Sequence, residues 1–315
     1  MLLAAACLGF MTYFIVRADA FLPSVKNGLN LYVTAVLPSM LPFFFFSKLL
    51  TEFGFASDCG KVFKKPVAFL FHAPPLGAYV LIMSMLCGYP VGAKLVGECF
   101  EQGFIDEKQA KKIAAFTSTS GPLFIVGTVG VTMFADKKAG VILLVSHYLG
   151  TLANGLFYRG KKASVIGAIP SVLPADDVLN KVMLNTVLSV GLVGGYICLF
   201  NLFSDAATLC GLIPLLSKVF AAIGVDTRIT SGVAGGLFEM TRGCLTLSQS
   251  GLPRLITLPL CEWLITFGGM SVTLQSLTFL SKTKISPAYY LLVKGTQGIV
   301  CSLICLLIVY LFSYA

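Results

Sequence analysis

Residues 116–130 read FTSTSGPLFIVGTVG. The second half of this stretch is apolar enough for a lipid bilayer, yet it is entered through four consecutive hydroxyl side chains, Thr117, Ser118, Thr119 and Ser120, followed by Gly121 and Pro122. This is helix-start chemistry. Ser120 can cap, Gly121 permits a turn, and proline suits a first helical position because its missing N–H has no intrahelical acceptor to lose. A half-helix from about 122 would begin inside the membrane and present free N–H groups and a partial positive charge, a natural seat for an anion.

The rest of the chain establishes that the solvent is lipid. Of 315 residues, 57% are hydrophobic and 12% charged, with mean hydropathy +0.88; soluble domains carry about 25% charge. Apolar windows long enough to cross the hydrocarbon core occur at 1–16, 28–50, 111–134, 139–157, 180–204, 255–280 and 288–313. The expected fold is an all-α polytopic membrane protein of about seven transmembrane helices. Residues 1–16 read as the first span, because no Lys or Arg precedes the apolar run as in a cleaved signal. Two further apolar stretches, 67–98 and 228–248, are cut by Gly, Pro and charges and read as re-entrant hairpins over 76–98 and 228–248.

The ten cysteines sit mostly inside apolar segments with no C-x-x-C pair, and only two histidines exist, so neither a structural metal nor a cofactor is expected. The lysines and arginines at 61–65, 108–112, 159–162, 181 and 282–284 fall on one side of the membrane and outnumber those on the other, which places them in the cytoplasm. That bias accounts for much of the net charge of +9, so nucleic-acid binding is not required.

Sliding the chain against itself by 148 residues aligns Gly88 with Gly236, Lys94 with Arg242, Ser118 with Thr266, Gly121 with Gly269, and Gly150 with Gly298. The division expected is an N-terminal span and loop (1–27), a first repeat (28–160), a linker (161–179) and a second repeat (180–315). Three crossings per repeat would set the second copy upside down. That is the inverted-repeat plan of secondary transporters, whose broken helices line a midplane site.

On that plan the candidate substrate-binding residues are Gly88, Tyr89, Pro90 and Lys94 from the first hairpin and Thr117 to Gly121 from the first break. Glu239, Thr241 and Arg242 come from the second hairpin, and Thr266, Gly268, Gly269 and Ser271 from the second break. Charges at this depth usually face a pathway or a partner. A plainer alternative stands beside each: Glu239 can neutralise Arg242 on one helical face, Glu262 can do the same with Lys294, and Tyr89 and Trp263 can be packing residues. His147, with Glu262 and Lys294, is a candidate for coupling ion movement, or equally a packing histidine. Ser120 and His147 also invite comparison with the Ser–His dyad of an intramembrane serine protease, although the helix break explains them without chemistry.

GYPVGAKLVGE (88–98), QAKKIAAFTSTSGPLFIVGTVG (109–130), SHYLG (146–150) and, more loosely, LFEMTRG (237–243) and FGGMSV (267–272) resemble the YlbJ family of sporulation integral membrane proteins. These carry the nucleoside-recognition or Gate domain, similar to the core of concentrative nucleoside transporters. The resemblance implies a transporter in the outer forespore membrane, moving dipicolinic acid toward the spore whose cortex is being built. Its partners would be an anionic small molecule and the lipid bilayer. A Gate-type carrier of nucleosides or another small solute, and a structural sporulation factor, are the alternatives.

Overall fold

The computed structural model describes residues 1–161 and 177–312, and the regular structure among them is entirely helical. Lys162 and most of the expected linker lie outside the described residues.

The chain opens with α1 (Leu2–Val16), which bends by 102° at Arg17 into α2 (Ala18–Leu31). A π-helical turn, Tyr32–Val36, leads into α3 (Leu37–Glu52). After Gly54, α4 (Phe55–Phe71) keeps Asp58, Lys61, Lys64 and Lys65 exposed and buries Cys59, Val67 and Phe71. That two-faced pattern suits a helix lying at a membrane surface. A 94° bend then leads into α5 (Leu76–Cys87). α5 turns at residues 88–90 and packs against α6 (Val91–Glu101), the first hairpin.

Asp106 starts α7 (Glu107–Phe116) with a capping box: its carboxylate accepts the Gln109 N–H at 2.7 Å, and the Gln109 side chain accepts the Asp106 N–H at 2.9 Å. Residues 117–122 interrupt the helix, and a π-helical stretch, Leu123–Met133, follows. Asp136 caps α8 (Lys137–Phe157). The second part of the chain holds α9 (Val178–Leu209), α10 (Leu212–Ala222) and a second hairpin, α11 (Thr227–Phe238) with α12 (Met240–Ser248). Next come α13 (Arg254–Phe267), α14 (Gly269–Leu280) and α15 (Pro287–Leu311). The succession of hairpin, interrupted helix and long helix over 76–157 thus recurs over 227–311.

Four segments are long and apolar enough to cross a membrane: Lys137–Phe157, Val178–Leu209, Arg254–Thr283 and Pro287–Leu311. They coincide with four of the seven expected windows. The other three are not straight spans. Window 1–16 ends at the Arg17 bend, 28–50 passes through the π turn and carries Pro38 and Pro42, and 111–134 is split at 117–122. Counting each bent pair as one span gives at most six among the described residues. α9 and α15 expose Leu184, Leu188, Leu192, Leu303 and Leu307 on their outer faces. Leucine rows of this kind on helices of 32 and 25 residues are what acyl chains cover, and the chain is an integral membrane protein.

Inside, α8, α13 and α15 pack closely through small residues. A Cβ on Gly298 would meet the Trp263 ring at 2.8 Å, and one on Gly150 would lie 2.7 Å from the Cys301 Cα; Gly155 gives α8 the same close approach to Phe116 of α7, at 2.6 Å. Phe116 stacks on Phe71, centroids 4.1 Å apart, and Trp263 stacks on Phe267. Trp263 is therefore a packing residue.

Candidate functional site

The first break forces a complete accounting of backbone groups, because lipid offers them no partner. Pro122 has no N–H to give the carbonyl four residues back, at Ser118. That carbonyl accepts from Gln297 Nε2 at 2.9 Å and from Lys294 Nζ at 3.3 Å, both on α15. The Ser120 N–H donates to His147 Nε2 on α8 at 2.9 Å. The Thr117 carbonyl accepts from the Ser84 hydroxyl, and the Thr119 N–H donates to the same oxygen. The Ser118 hydroxyl meets Tyr290 OH at 2.9 Å. These freed groups are held by side chains from three other helices, α5, α8 and α15.

The second break is shorter. Gly268, in the left-handed region at φ 82°, separates α13 from α14 and frees the Thr266 carbonyl, which Tyr89 OH bonds at 2.9 Å. Tyr89 OH in turn accepts from Lys294 Nζ at 2.8 Å, and the ammonium lies 4.4 Å from the Tyr89 ring centre. Ser118 and Thr266 are 148 residues apart, and each carbonyl is held by a side chain from the other half. The hairpins meet the breaks at positions with the same spacing. A Cβ on Gly88 would lie 2.5 Å from Gly121 N, and one on Gly269 would lie 2.7 Å from Gly236 O.

Between these contacts lies a cavity with about 590 Å³ of empty space, open solvent at its mouth included. Gly88, Tyr89, Ser120, Gly121, Glu239, Thr241 and Ser271, all expected at the site, line it, together with Gln275 and apolar residues of α3, α9 and the π turn. Its polar wall has two characters. Gly121, Leu123 and Phe124 begin the π-helical stretch, a first turn whose N–H groups lack intrahelical acceptors. Opposite in kind is the Glu239 carboxylate, buried and fixed by Arg242 N–H at 2.8 Å and Thr241 Oγ at 2.9 Å. Glu239 thereby caps α12, so that helix start already holds its own anion.

The other expected residues fall elsewhere. Pro90 closes the first hairpin turn, and Thr117, Ser118, Thr119, Thr266, Gly268 and Gly269 build the breaks behind the cavity wall. Arg242 does not neutralise Glu239 through its side chain; its guanidinium pairs with Asp205 of α9 at 2.5 Å. Lys94 is also outside the cavity, 3.2 Å from Ser189 Oγ and 3.9 Å from Glu98. The cation nearest the breaks is Lys294. Gln297, Ser84, Tyr290 and Gln275 were not anticipated. The signal for Gln297 was a glutamine in an otherwise apolar span, one helical step from Lys294.

Beneath the first break, His147, Glu262 and Thr266 form a closed triangle. Nε2 of His147 accepts the Ser120 N–H, so Nδ1 carries the ring proton and faces Glu262 Oε1 at 2.9 Å and Thr266 Oγ at 3.0 Å. Cys301 completes a group of ligand-type atoms within 4.8 Å, a set that chain spacing did not reveal, but both ring nitrogens are already engaged. The same geometry bears on the protease alternative: Ser120 offers His147 its backbone N–H, not its hydroxyl, so no nucleophile–base hydrogen bond is formed. Ser120→Ala keeps that N–H and removes one neutral hydroxyl worth about 1 kcal/mol. It should fold normally and retain most function; complete loss together with labelling of the wild type by a serine-reactive probe would restore the enzyme reading.

Compared with known proteins, the chain is 29% identical over 335 aligned positions to the sporulation integral membrane protein YlbJ of Bacillus subtilis (strain 168). The match covers 98% of this chain and 82% of that relative. No family profile and no solved structure matches.

Proposed function

Since the chain belongs to the YlbJ family of sporulation integral membrane proteins, we propose that it is a transporter, carrying dipicolinic acid across the outer forespore membrane by alternating access about the cavity between its two helix breaks. The observation that carries this reading is the pair of glycine contacts, Gly88 with Gly121 and Gly236 with Gly269, repeated at a spacing of 148 residues. Two hairpins seated on two broken helices around one cavity is the arrangement expected of an inverted repeat with its site at the centre. A scaffold protein has no need of such a cavity.

The wall refines what is carried. With Lys94 and Arg242 engaged elsewhere, the anion would be received by the first-turn N–H groups at 121–124 and the hydroxyls of Ser120 and Ser271. Glu239 adds an acceptor that repels a second negative charge. The acid would therefore bind with one carboxylate ionised and the other protonated, the proton bridging to Glu239. The same carboxylate, with Gln275 beside it, favours a second reading, a neutral solute with hydroxyl donors such as a nucleoside.

Glu239→Gln separates the two. For dipicolinate it removes like-charge repulsion, so the dianion should bind about tenfold tighter or better. For a nucleoside it removes a charged acceptor worth about 1.5–3 kcal/mol, so binding should weaken by about tenfold or more. Labelled uptake into vesicles holding the purified protein, with dipicolinate and nucleosides in competition, reads the sign. Absence of uptake or competition by either solute would end the transport reading.

A further inference from the structure

Lys94, displaced from the central cavity, faces a second cleft between α3, the first hairpin and α9. The cleft has about 280 Å³ of empty space, open solvent at its mouth included; Ser47, Lys48, Thr51, Lys94 and Ser189 line it above an apolar floor of Phe44, Met83, Val91 and Leu95. Two ammonium groups share it and repel one another. Lys94 has Glu98 at 3.9 Å, a carboxylate whose side chain is 41% exposed and therefore well screened. Lys48 makes no ion pair among the described residues, and its side chain lies close enough to Lys94 to interact with it directly. The neighbouring carboxylates do not relieve it, because Glu52 pairs with Lys181 and Glu101 with Lys282.

The hydroxyls do not substitute for an anion. Ser47, Thr51 and Ser189 each donate to a backbone carbonyl of their own helix; Ser189 also accepts from Lys94 and Thr51 meets Tyr79 OH, so none of them supplies a charge. Two cations held in one partly buried cleft, with half-committed compensation, is a stable arrangement when a group of negative oxygens sits between them.

We propose that Lys48 and Lys94 bind a phosphate group, as a second ligand site separate from the central cavity. Phosphate fits because it presents several charged oxygens to two compact ammonium donors. Two sources carry this chemistry, an anionic phospholipid headgroup and free phosphate. Access from the bilayer favours the lipid: Leu188 and Leu192 of α9, adjacent on its surface to Ser189, are 65% and 55% exposed and offer acyl chains an apolar path beside the cleft.

The test measures melting of the full-length protein in nanodiscs of pure phosphatidylcholine and in nanodiscs containing phosphatidylglycerol, each with and without inorganic phosphate. Lys48→Gln/Lys94→Gln is compared with the charge-matched surface variant Lys26→Gln/Lys218→Gln, and Lys48→Arg/Lys94→Arg serves as a conservative rescue. With a headgroup as ligand, phosphatidylglycerol should raise the wild-type melting temperature by at least about 2 °C. The gain should vanish in the cleft variant and persist in the surface and arginine variants. With free phosphate as ligand, the same pattern should appear on adding phosphate in pure phosphatidylcholine. Equal responses of the cleft and surface variants to both probes would overturn the site, since the lysines would then act only through net charge. If the cleft variant does not fold, the single Lys48→Gln variant, which breaks no ion pair in the structure, gives the same readout.

Discussion

Gly88→Ala should leave little folded protein, with the surviving fraction melting well below the wild type in detergent. Gly88 sits at φ 80°, ψ −169°, a region essentially closed to residues with a Cβ, at a cost of about 1–3 kcal/mol. Strain is the smaller part. The added methyl would lie 2.5 Å from Gly121 N and 3.1 Å from its Cα, and both atoms are backbone. Relief would require the hairpin tip to back away from the break, opening the cavity wall and loosening Tyr89 next to it. Gly103 supplies the control: it too has positive φ, 72°, but nothing lies within 4 Å of its added Cβ. Gly103→Ala should cost only the strain. If the two variants melt alike, the hairpin–break contact is not what holds the site together.

The second large effect concerns the buried charges. Lys294 and Glu262 are both wholly buried; the carboxylate acts on the ammonium through space, while its direct partners are His147 and Thr266. Lys294→Met leaves the Ser118 carbonyl with Gln297 and the Tyr89 hydroxyl with Thr266, so lost hydrogen bonds are few. What is lost is the through-space attraction between two buried charges that do not touch, so the cost should approach but not exceed the about 3–5 kcal/mol of deleting one partner of a buried pair in contact. Glu262→Gln should be comparably harmful for the mirrored reason, and it weakens the charge-assisted bond from His147 to a neutral one, since the amide oxygen can still accept. The double variant should be more stable than the sum of the singles predicts, by about 0.5–3 kcal/mol. A melting cycle over the four proteins measures this. Strict additivity would mean that the two charges act independently and that Lys294 serves only to hold Ser118 and Tyr89.

The frame of the site was legible because backbone breakers announce themselves. Gly88, Gly121, Gly236 and Gly269 repeat at one offset, and a residue without a side chain where two backbones touch has few substitutes. Which cation would serve the breaks was not legible. Lys94 and Lys294 both follow apolar runs, and only the rotation of their helices, set by contacts with residues far away in the chain, turns one toward Ser189 and the other toward Ser118. Gln297 escaped because the offset aligns it with Leu149, so a search for repeats passes over it. The alternative pairing of Glu239 with Arg242 fails for a different reason. At three residues' separation a Glu–Arg side-chain pair competes with the glutamate capping its own helix, and here the cap prevails while Asp205 takes the arginine.

The side chains that close the first break come from α8 and from α15, the latter begun only at Pro287. A nascent chain halted after α8 has His147 in hand but neither Gln297 nor Lys294, and its Ser118 carbonyl must stay hydrated. In the same way the Thr266 carbonyl waits on Tyr89, made long before. Closure of the first break therefore depends on α15, and a chain that lacks α15 leaves the Ser118 carbonyl with no protein partner among those seen here.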